Sequence, residues 1–542
     1  MSNNCTDCFP DDILSYVGPS LAKHKHCDII DINPGACLWS AKVHDFLQPR
    51  THLLLEPNYR FFEPIIKPLL DQPSSTYRYA AYDTEDWATY DRIFHDGLLR
   101  PEKLSDPNQP NNSLLVVGNF AFSPRKKSFG FESLGTLAIH QFLCQSLRKH
   151  SLFHAYGRVR VLLWISEKDL QCVLPRTINH RRWDEFMIET SGFSTLIAGP
   201  DIPGAQGAEI KLDKVNTERV ARSMLNDDVR LPDARQSEIF KQAWDKMSMD
   251  QSKSDGESLP GDKVSSNPKV WLPLQHEYDE LEASYRKGEI QTRRVVKKVL
   301  SDDPRWSRLL QLRHQHGIFN RSWSKVEPIA DACEKLSFLE HEIIAEEEKG
   351  ADTETLKSNY ERQADRLAKL RSNANSLALR TKPDDVVDNR LARQPGNPLL
   401  QWDQRPYEPL KVNSTEFHPH ESICLLDFQP KTPLIASEWD KTEDGKETLL
   451  LLQLLFSHQS STIAESLNKI VAGGADALIP KCPSITNPTK GGRLNHRDVR
   501  VRMLTEEMAG ELIKAWLDWP FRPLLSKRPR VGSELRSGKR KK

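Results

Sequence analysis

The sequence predicts an α/β fold in which a mainly parallel sheet is covered by helices on both faces. Two observations carry this prediction. Between about residues 28 and 200, short β-branched runs alternate with segments whose apolar residues recur at helical spacing. Most of the short runs contain a continuous apolar stretch, such as LLL, LLVV or VLLWI, which is typical of strands buried on both faces of a parallel sheet.

Six runs in this region predict strands, and four segments between them predict helices. The strands are CDIIDI, THLLLEP, TYRYAAYD, SLLVVGNF, RVRVLLWI and STLIAGPD. The helices are WSAKVHDFL, YRFFEPIIKPLL, FESLGTLAIHQFLCQSL and KDLQCVLP. Together they predict an α/β domain over residues 11–200. A further run, SICLLDFQP, predicts that the chain returns to this sheet with a last strand within residues 412–435.

Residues 201–411 differ in character and predict a largely helical insertion. The run SMDQSKSDGESLPGDKVSSNP has the composition of a disordered linker. Beyond it, LSFLEHEIIAEEEKG and a second helix after Gly350 are charged and amphipathic. The second helix has an apolar stripe of Leu356, Tyr360, Ala364, Leu367, Leu370, Ala374 and Leu377. We expect a solvated helical hairpin, with a dedicated partner-binding arm as the alternative.

The remainder of the chain predicts a small helical domain over residues 436–525 and a basic tail. In its last helix, Thr505 is a plausible N-cap, Pro520 ends the helix, and the buried face has Met508, Leu512, Trp516 and Leu517. Residues 526–542 have eight Lys and Arg and one Glu and no apolar face, which predicts a flexible arm. The candidate nucleic-acid contacts are Lys527, Arg528, Arg530, Arg536, Lys539, Arg540, Lys541 and Lys542. A nuclear localisation signal or a solubilising tail has the same composition.

Composition narrows the class of protein. A chain of 542 residues indicates more than one domain. Lys and Arg total 76 against 75 Asp and Glu, so the whole-chain charge does not predict a nucleic-acid partner. No apolar run approaches the roughly 20 residues of a membrane span. Nine scattered cysteines indicate a reducing compartment, and we expect no metal site because Cys5-x-x-Cys8 has no second pair.

Polar residues that follow four successive strands predict a binding crevice for an adenosine-containing ligand. Asp31 and Gly35 begin a tight loop after the first strand, and glycine lets the backbone approach a ligand closely. Glu56 follows the second strand and is placed to hold ribose hydroxyls. Asp83 follows the third strand, where it could face the adenine amine, and Asn119 ends the fourth. Acidic residues at strand ends often bind nothing, so each one alone is a weak indication.

The chain resembles the fungal mitochondrial transcription factor B family, which is related to the S-adenosylmethionine-dependent rRNA adenine N6-dimethyltransferases. The resemblance lies in DINPG…WS, LLLEP, DTEDWATY, GRVRVLLWI and LTEEMAGELIKAWLDWPFRP, and it covers roughly residues 11–200 and 412–525. It implies a Rossmann-like methyltransferase fold with a small all-α C-terminal domain. It also implies a mitochondrial protein whose partners are the mitochondrial RNA polymerase and melted promoter DNA.

The resemblance also implies roles for individual residues. Asp31, Asn33 and Gly35 belong to the loop under the methionine part of the cofactor, Glu56 becomes the ribose ligand and Asp83 the adenine ligand. The segment NFAF takes the place of the enzymes' Asn-Leu-Pro-Tyr element. There Asn119 accepts a hydrogen bond from the target amine and Phe122 stacks on a flipped adenine, as base-modifying enzymes require. Trp39, Trp87 and Tyr90 could stack on unpaired bases, although core packing is the simpler role for each.

Three departures from the enzymes' pattern predict that the crevice is weakened or empty. Asn33 and Cys37 stand where glycines give the cofactor room, and Ala121 replaces the proline of the catalytic loop. The run SHQSSTI after Phe456 has no cation where the enzymes carry an Arg-Arg-Lys cluster. Because phosphate neutralisation dominates affinity for nucleic acids, this last change disfavours an rRNA substrate at that surface.

We therefore expect a mitochondrial transcription initiation factor in which S-adenosylmethionine binding is weak or vestigial. The first alternative is an active rRNA adenine dimethyltransferase of the mitochondrial ribosome, with rRNA as partner. The second is a scaffold whose insertion, residues 201–411, carries the partner interface. The first twenty residues contain no Arg or Lys, so no presequence is visible. Import would then use an internal signal, or the true start would lie upstream of Met1.

Overall fold

The computed structural model describes residues 8–102, 104, 106, 109–122, 131, 133–144, 152–201, 209–251, 275–295, 298–373, 377–393, 398–432 and 442–525. The chain divides into two compact units. The first unit lies within residues 1–174, 181–197 and 423–542, and the second lies within residues 175–180 and 198–422.

A mixed sheet of eight strands forms the centre of the fold. Its strands are β1 (Asp28–Ile32), β2 (Thr51–Leu55), β3 (Tyr77–Tyr79), β4 (Pro110–Asn119), β5 (Arg158–Ser166), β6 (Gly192–Gly199), β9 (Leu410–Lys411) and β10 (Ile423–Pro430). Their order is β3-β2-β1-β4-β5-β10-β6-β9. The pairs from β3 to β5 are parallel, and β10 is antiparallel to β5. The last residues of β6 pair in parallel with β9. The predicted α/β class is confirmed at this level.

The strands are buried because their apolar runs face protein on both sides. Every residue of β1 and β2 is buried, as are all but the last of β5. Between them lie α1 (Cys8–Leu21), α2 (Leu38–Leu47), α3 (Tyr59–Leu70), α4 (Ala88–His95), α5 (Leu134–Cys144), α6 (Glu167–Leu170) and α7 (Trp183–Ser191). The predicted helix KDLQCVLP is wrong beyond its first residues, because α6 ends at Leu170. The sequence analysis missed α1, α4 and α7.

One buried ion pair joins the reversed strand to the parallel sheet. The guanidinium of Arg160 on β5 donates to both carboxylate oxygens of Asp427 on β10, at 2.8 and 2.6 Å. It also donates to the carbonyl and hydroxyl of Ser20 at the end of α1. Both charged side chains are almost fully buried. Such a pair is stabilising only while both partners remain, since either charge alone would be left desolvated.

Five short helices form the C-terminal part of the first unit. They are α15 (Thr442–Phe456), α16 (Ile463–Ile470), α17 (Gly474–Leu478), α18 (Pro483–Thr486) and α19 (Glu506–Leu517). The predicted N-cap is confirmed, because the Thr505 hydroxyl accepts from the N–H of Met508. The predicted face of α19 packs in the core of these helices, with Trp516 fully buried and Leu517 partly buried.

The second unit is mostly helical. Its helices are α8 (Glu209–Asn226), α9 (Glu238–Gln251), α10 (Gln275–Arg286), α11 (Pro304–Glu348), α12 (Glu354–Ser372), α13 (Leu377–Leu391) and α14 (Gln401–Gln404), with a hairpin of β7 (Arg293–Val295) and β8 (Lys298–Leu300). Gly350 ends α11 with a φ of 72°, as predicted for the hairpin turn. The stripe on α12 is not merely solvated, because Leu367 is buried against α11 and α13. Residues 252–274, which hold most of the predicted linker, lie outside the described residues, as does Ala374 of the stripe. Across the described helices, none is long and apolar enough to cross a membrane.

Candidate functional site

The candidate site lies where the strand order reverses, at the carboxyl ends of β1 and β4. The chain passes from β1 to β2 and β3 on one side, whereas β4 and β5 lie on the other. In open α/β sheets, ligands bind in the crevice outside the strand ends at this point. Asn33 follows β1, Glu56 follows β2 and Asn119 ends β4. Three of the residues predicted from sequence are therefore brought to one edge of the sheet.

The loop after β1 has the left-handed backbone conformation that is typical of glycine, although Asn33 and Cys37 carry side chains. Asn33, Gly35 and Cys37 have φ angles of 55°, 56° and 55°. This left-handed conformation is free for glycine, tolerated by Asn and costly for most other residues. Burial, followed by the charges of Asp31 and Glu56, raises the pKa of Cys37 to about 12. The thiol is therefore protonated and is not a nucleophile.

The side chain of Asn33 connects three segments around the crevice. Its Nδ2 donates to the carbonyl oxygen of Asn119 at 3.2 Å. Its Oδ1 accepts from the hydroxyl of Thr84 at 3.0 Å. The amide thus joins the loop after β1 to the end of β4 and to the loop after β3. Each of its two ends is hydrogen-bonded, so the amide has a fixed orientation.

Glu56 is buried and already bound by the backbone around it. Its Oε2 accepts from the N–H of Gly35 at 2.9 Å, and its Oε1 accepts from the N–H of Asn58 at 2.8 Å. The side chain is 3% exposed. Its carbonyl oxygen accepts from the hydroxyl of Tyr79 at 3.3 Å. Each carboxylate oxygen therefore has one acceptor direction occupied by the protein itself.

Asn119 and Phe122 lie on a tight turn after β4. The Oδ1 of Asn119 accepts from the N–H of Ala121 at 3.1 Å. A proline at position 121 would lack this N–H, so the oxygen is engaged because Ala121 is present. The ring of Phe122 is 45% exposed.

Asp83 and the two aromatic residues that follow it, Trp87 and Tyr90, differ in their exposure to solvent. Asp83 is exposed, and its Oδ1 accepts from the N–H of Glu85 at 2.9 Å. Tyr90 is fully buried and donates to the carbonyl of Thr84, so it is a core residue. Trp87 is partly buried and lies edge-on to Phe142.

Trp39 is the remaining aromatic residue near the strand ends. It contacts Trp164 edge-on with ring centroids 6.1 Å apart. Trp164 is paired in register with Asn119 across β4 and β5. Trp39 is therefore the aromatic side chain held beside the end of β4, and it is partly buried.

Asp31 takes part in a buried relay that the sequence analysis missed. The Nε2 of His52 lies 3.1 Å from Asp31 Oδ2, and His52 Nδ1 lies 3.1 Å from His44 Nδ1. The Nε2 of His44 is 3.3 Å from the hydroxyl of Thr76. Burial lowers the pKa of His44 to about 4, so this ring is neutral near pH 7. No sequence pattern indicated the relay, because β2 and α2 bring the two histidines together from separate elements.

Each of these contacts can be a hydrogen bond at the same time. In one such proton arrangement, His52 donates through Nε2 to Asp31, His44 donates through Nδ1 to His52, and Thr76 donates to His44. The carboxylate of Asp31 is 2% exposed and directed at His52. The structure therefore places Asp31 in this network and not among the three residues at the strand ends.

The predicted nucleic-acid residues belong to the part of the chain that the structure does not describe. Lys527, Arg528, Arg530, Arg536, Lys539, Arg540, Lys541 and Lys542 lie outside the described residues. The turn after Phe456 is described, and Lys469 of α16 donates to its Ser461 hydroxyl at 3.1 Å. Two further cations lie beside the uncharged run, because Arg500 is bridged to Thr462 and the N–H of Arg502 donates to the carbonyl of Gln459. Both arginine side chains are buried. Within the described ranges, no group of three His, Cys, Asp or Glu side chains could hold a metal ion.

A comparison of the chain with known protein families found no match, and no curated protein is significantly similar to it.

Proposed function

We propose that this chain is a mitochondrial transcription initiation factor whose methyltransferase-like domain no longer transfers methyl groups. It binds the mitochondrial RNA polymerase and helps to open and hold promoter DNA. The strand order from β3 to β5 supports a crevice of the nucleotide-binding type. The resemblance to the transcription factor B family supplies the identity of the partners.

The observation that carries the loss of methyl transfer is the amide of Asn33. In the enzymes that the sequence resembles, glycine at this position leaves room for the methionine part of S-adenosylmethionine. Here the side chain is present and hydrogen-bonded to the end of β4 and to Thr84. A cofactor would have to displace both hydrogen bonds, each contributing about 0.5–1.5 kcal/mol, before gaining any contact of its own.

Ala121 supports the same conclusion independently. In the resembled enzymes, the asparagine at the position of Asn119 accepts from the amine that is methylated. The Oδ1 of Asn119 instead accepts from the N–H of Ala121, which a proline would not offer. The substitution of alanine for proline therefore occupies one of the two acceptor directions of this oxygen and weakens its interaction with a target base.

The alternative function is an active rRNA adenine dimethyltransferase. Glu56 and Asn119 lie at the ends of the two strands that flank β1, and the ring of Phe122, on the turn after Asn119, is exposed. This arrangement favours a residual adenine site. The turn after Phe456 has no Lys or Arg of its own, and the neighbouring Arg500 and Arg502 side chains are buried. With Lys469 beside it, the turn offers little to an rRNA backbone.

Transcription from two templates tests the proposed role. Purified protein and the cognate mitochondrial RNA polymerase are assayed on a duplex promoter and on the same promoter with a pre-melted bubble. We expect the protein to stimulate initiation strongly on the duplex and weakly on the bubble. Removal of residues 526–542 should reduce the stimulation on the duplex. Three or four of the eight cations in residues 526–542 are enough for a measurable effect. Their loss should reduce the slope of log DNA affinity against log salt concentration by about 2–3, at about 0.7 per phosphate contact.

The matched control for charge is a full-length protein in which every Lys and Arg of residues 526–542 is replaced by Gln. If the cations act on phosphates, this protein should stimulate transcription as weakly as the truncated protein. Equal loss on the duplex and on the bubble would place the tail's role outside melting. No stimulation of the polymerase by the intact protein on either template would contradict the proposed function.

A further inference from the structure

The long helix α11 is divided into a basic half and an acidic half. It has 45 residues, which corresponds to a length of about 68 Å. Residues 304–326 contain no Asp or Glu and have five cations: Arg305, Arg308, Arg313, Arg321 and Lys325. Residues 327–348 contain one Lys and eight acids: Glu327, Asp331, Glu334, Glu340, Glu342, Glu346, Glu347 and Glu348. This division is not needed for an ordinary solvated helix, in which the two signs are interspersed.

The acidic half is neutralised in part within its own unit. Arg390 of α13 lies 2.8 Å from Asp331 and 3.1 Å from Glu334. Lys357 of α12 lies 2.9 Å from Glu347. Three of the eight acids in this half thus have cationic partners on the helices that pack against them.

The basic half is different, because its last cations have no such partners. Arg308 and Arg313 pair with Glu277 and Glu282 of α10. Arg321 and Lys325 are exposed and form no ion pair with any described residue. Arg321 donates from Nε to the carbonyl of Gly317 at 3.1 Å.

Two aromatic rings lie between these cations. Phe319 and Trp323 are one helical turn apart, with ring centroids 5.9 Å apart and planes within 12°. Both are partly exposed, and the neighbouring Ile318 is 50% exposed. None of the side chains whose burial is described between residues 314 and 325 is buried. We call residues 314–325 the basic–aromatic segment.

We propose that the basic–aromatic segment binds single-stranded nucleic acid. Arg321 and Lys325 contact phosphates, and unpaired bases stack on Phe319 and Trp323. Cations that follow a backbone, combined with aromatic faces that accept any base, are the two components of sequence-tolerant single-strand binding. An acidic peptide would use the cations and leave the rings without a role. The inference stands apart from the proposed function, because it depends on neither the polymerase nor the methyltransferase-like domain.

The test is binding of the full-length protein to a fluorescein-labelled oligothymidylate, measured by anisotropy over a series of KCl concentrations. Phe319→Ala and Trp323→Ala should each weaken binding between about fivefold and 100-fold, the range for loss of one stacked base. Arg321→Gln with Lys325→Gln should lower the log–log salt slope by about 1.4. The matched controls are Phe338→Ala and Lys335→Gln, at exposed positions in the acidic half of the same helix.

Three further measurements separate base stacking on this segment from general charge attraction, from binding by the tail and from self-association. A strand of equal length without bases should bind more weakly. Its affinity for Phe319→Ala should equal its affinity for the parent protein. A strand containing 5-iodouracil should crosslink to the peptide that holds Trp323. Sedimentation should give the same mass for parent and variants.

The following results would overturn the proposal. The variants could bind the strand as the controls do, or the crosslinks could be confined to residues 526–542. Ring substitutions could leave affinity unchanged, which would make the segment a general polyanion surface. A change of mass in the variants without a change of affinity would make the segment an interface between copies of the chain. None of these outcomes bears on transcription, so failure here and failure of the proposed function are distinguishable.

Discussion

Asn33→Gly tests whether one side chain closes the crevice. The substitution removes two hydrogen bonds, to Asn119 and from Thr84, which together contribute roughly 1–3 kcal/mol. It also relieves the left-handed backbone at φ 55°, but asparagine tolerates this conformation, so the relief is below about 1 kcal/mol. The greater freedom of glycine in the unfolded chain offsets that relief. We therefore expect a net loss of about 1–3 kcal/mol in the free energy of unfolding, set mainly by the two hydrogen bonds.

The variant should gain affinity for S-adenosylmethionine, although it loses stability. Equilibrium dialysis measures the affinity, and urea unfolding measures the stability. Thr84→Val is the matched control, because it removes one hydrogen bond to the Asn33 amide and leaves the amide in place. It should cost about 1 kcal/mol in stability and gain less affinity than Asn33→Gly, because one of the two hydrogen bonds still has to be displaced. Equal affinity of the parent protein and Asn33→Gly for the cofactor would refute the reasoning, as would tighter binding by the parent.

Three further predictions concern stability. Arg160→Met should cost about 3–5 kcal/mol in urea unfolding, because it leaves the buried Asp427 unpaired, and Asp427→Leu in the same chain should recover most of the loss. Burial raises the pKa of Glu185 to about 8, so the unfolded chain releases this proton at lower pH than the folded chain, and stability should fall as the pH rises from about 4.5 to 8. Glu185→Gln should lack that part of the pH dependence, and an unchanged profile would show that another group causes it. Thr505→Ala should cost about 1 kcal/mol through loss of the N-cap of α19, whereas Thr505→Ser should cost little.

The sheet could be predicted from sequence because its strands contain continuous apolar stretches and are separated by amphipathic helices. Of the long helix α11, the C-terminal part LSFLEHEIIAEEE was predicted, but the rest was not, because its sequence is interrupted. Gly317 and Pro328 lie inside it, and both residues normally favour the end of a helix. Packing of its C-terminal half against α12 and α13 stabilises the helix despite the low helix propensity of these two residues. Tertiary contacts therefore override the local pattern there.

The site was predicted in part, and for a physical reason. Residues that follow parallel strands must meet at one edge of the sheet, which placed Asn33, Glu56 and Asn119 correctly. The direction of a side chain on a strand depends on register, and Asp31 is directed instead toward His52. The sequence also predicted that Asn33 would crowd the cofactor. It could not predict which atoms the amide would bind, since these come from distant loops.

Titration of the unmodified protein with S-adenosylmethionine in a calorimeter tests the central claim most directly. The hydrogen-bonded Asn33 amide and the engaged oxygen of Asn119 predict no measurable heat of binding at micromolar cofactor. The same preparation, incubated with labelled cofactor and an rRNA hairpin, should transfer no methyl group. A micromolar dissociation constant together with methyl transfer to adenine would contradict the account and establish the chain as a working dimethyltransferase.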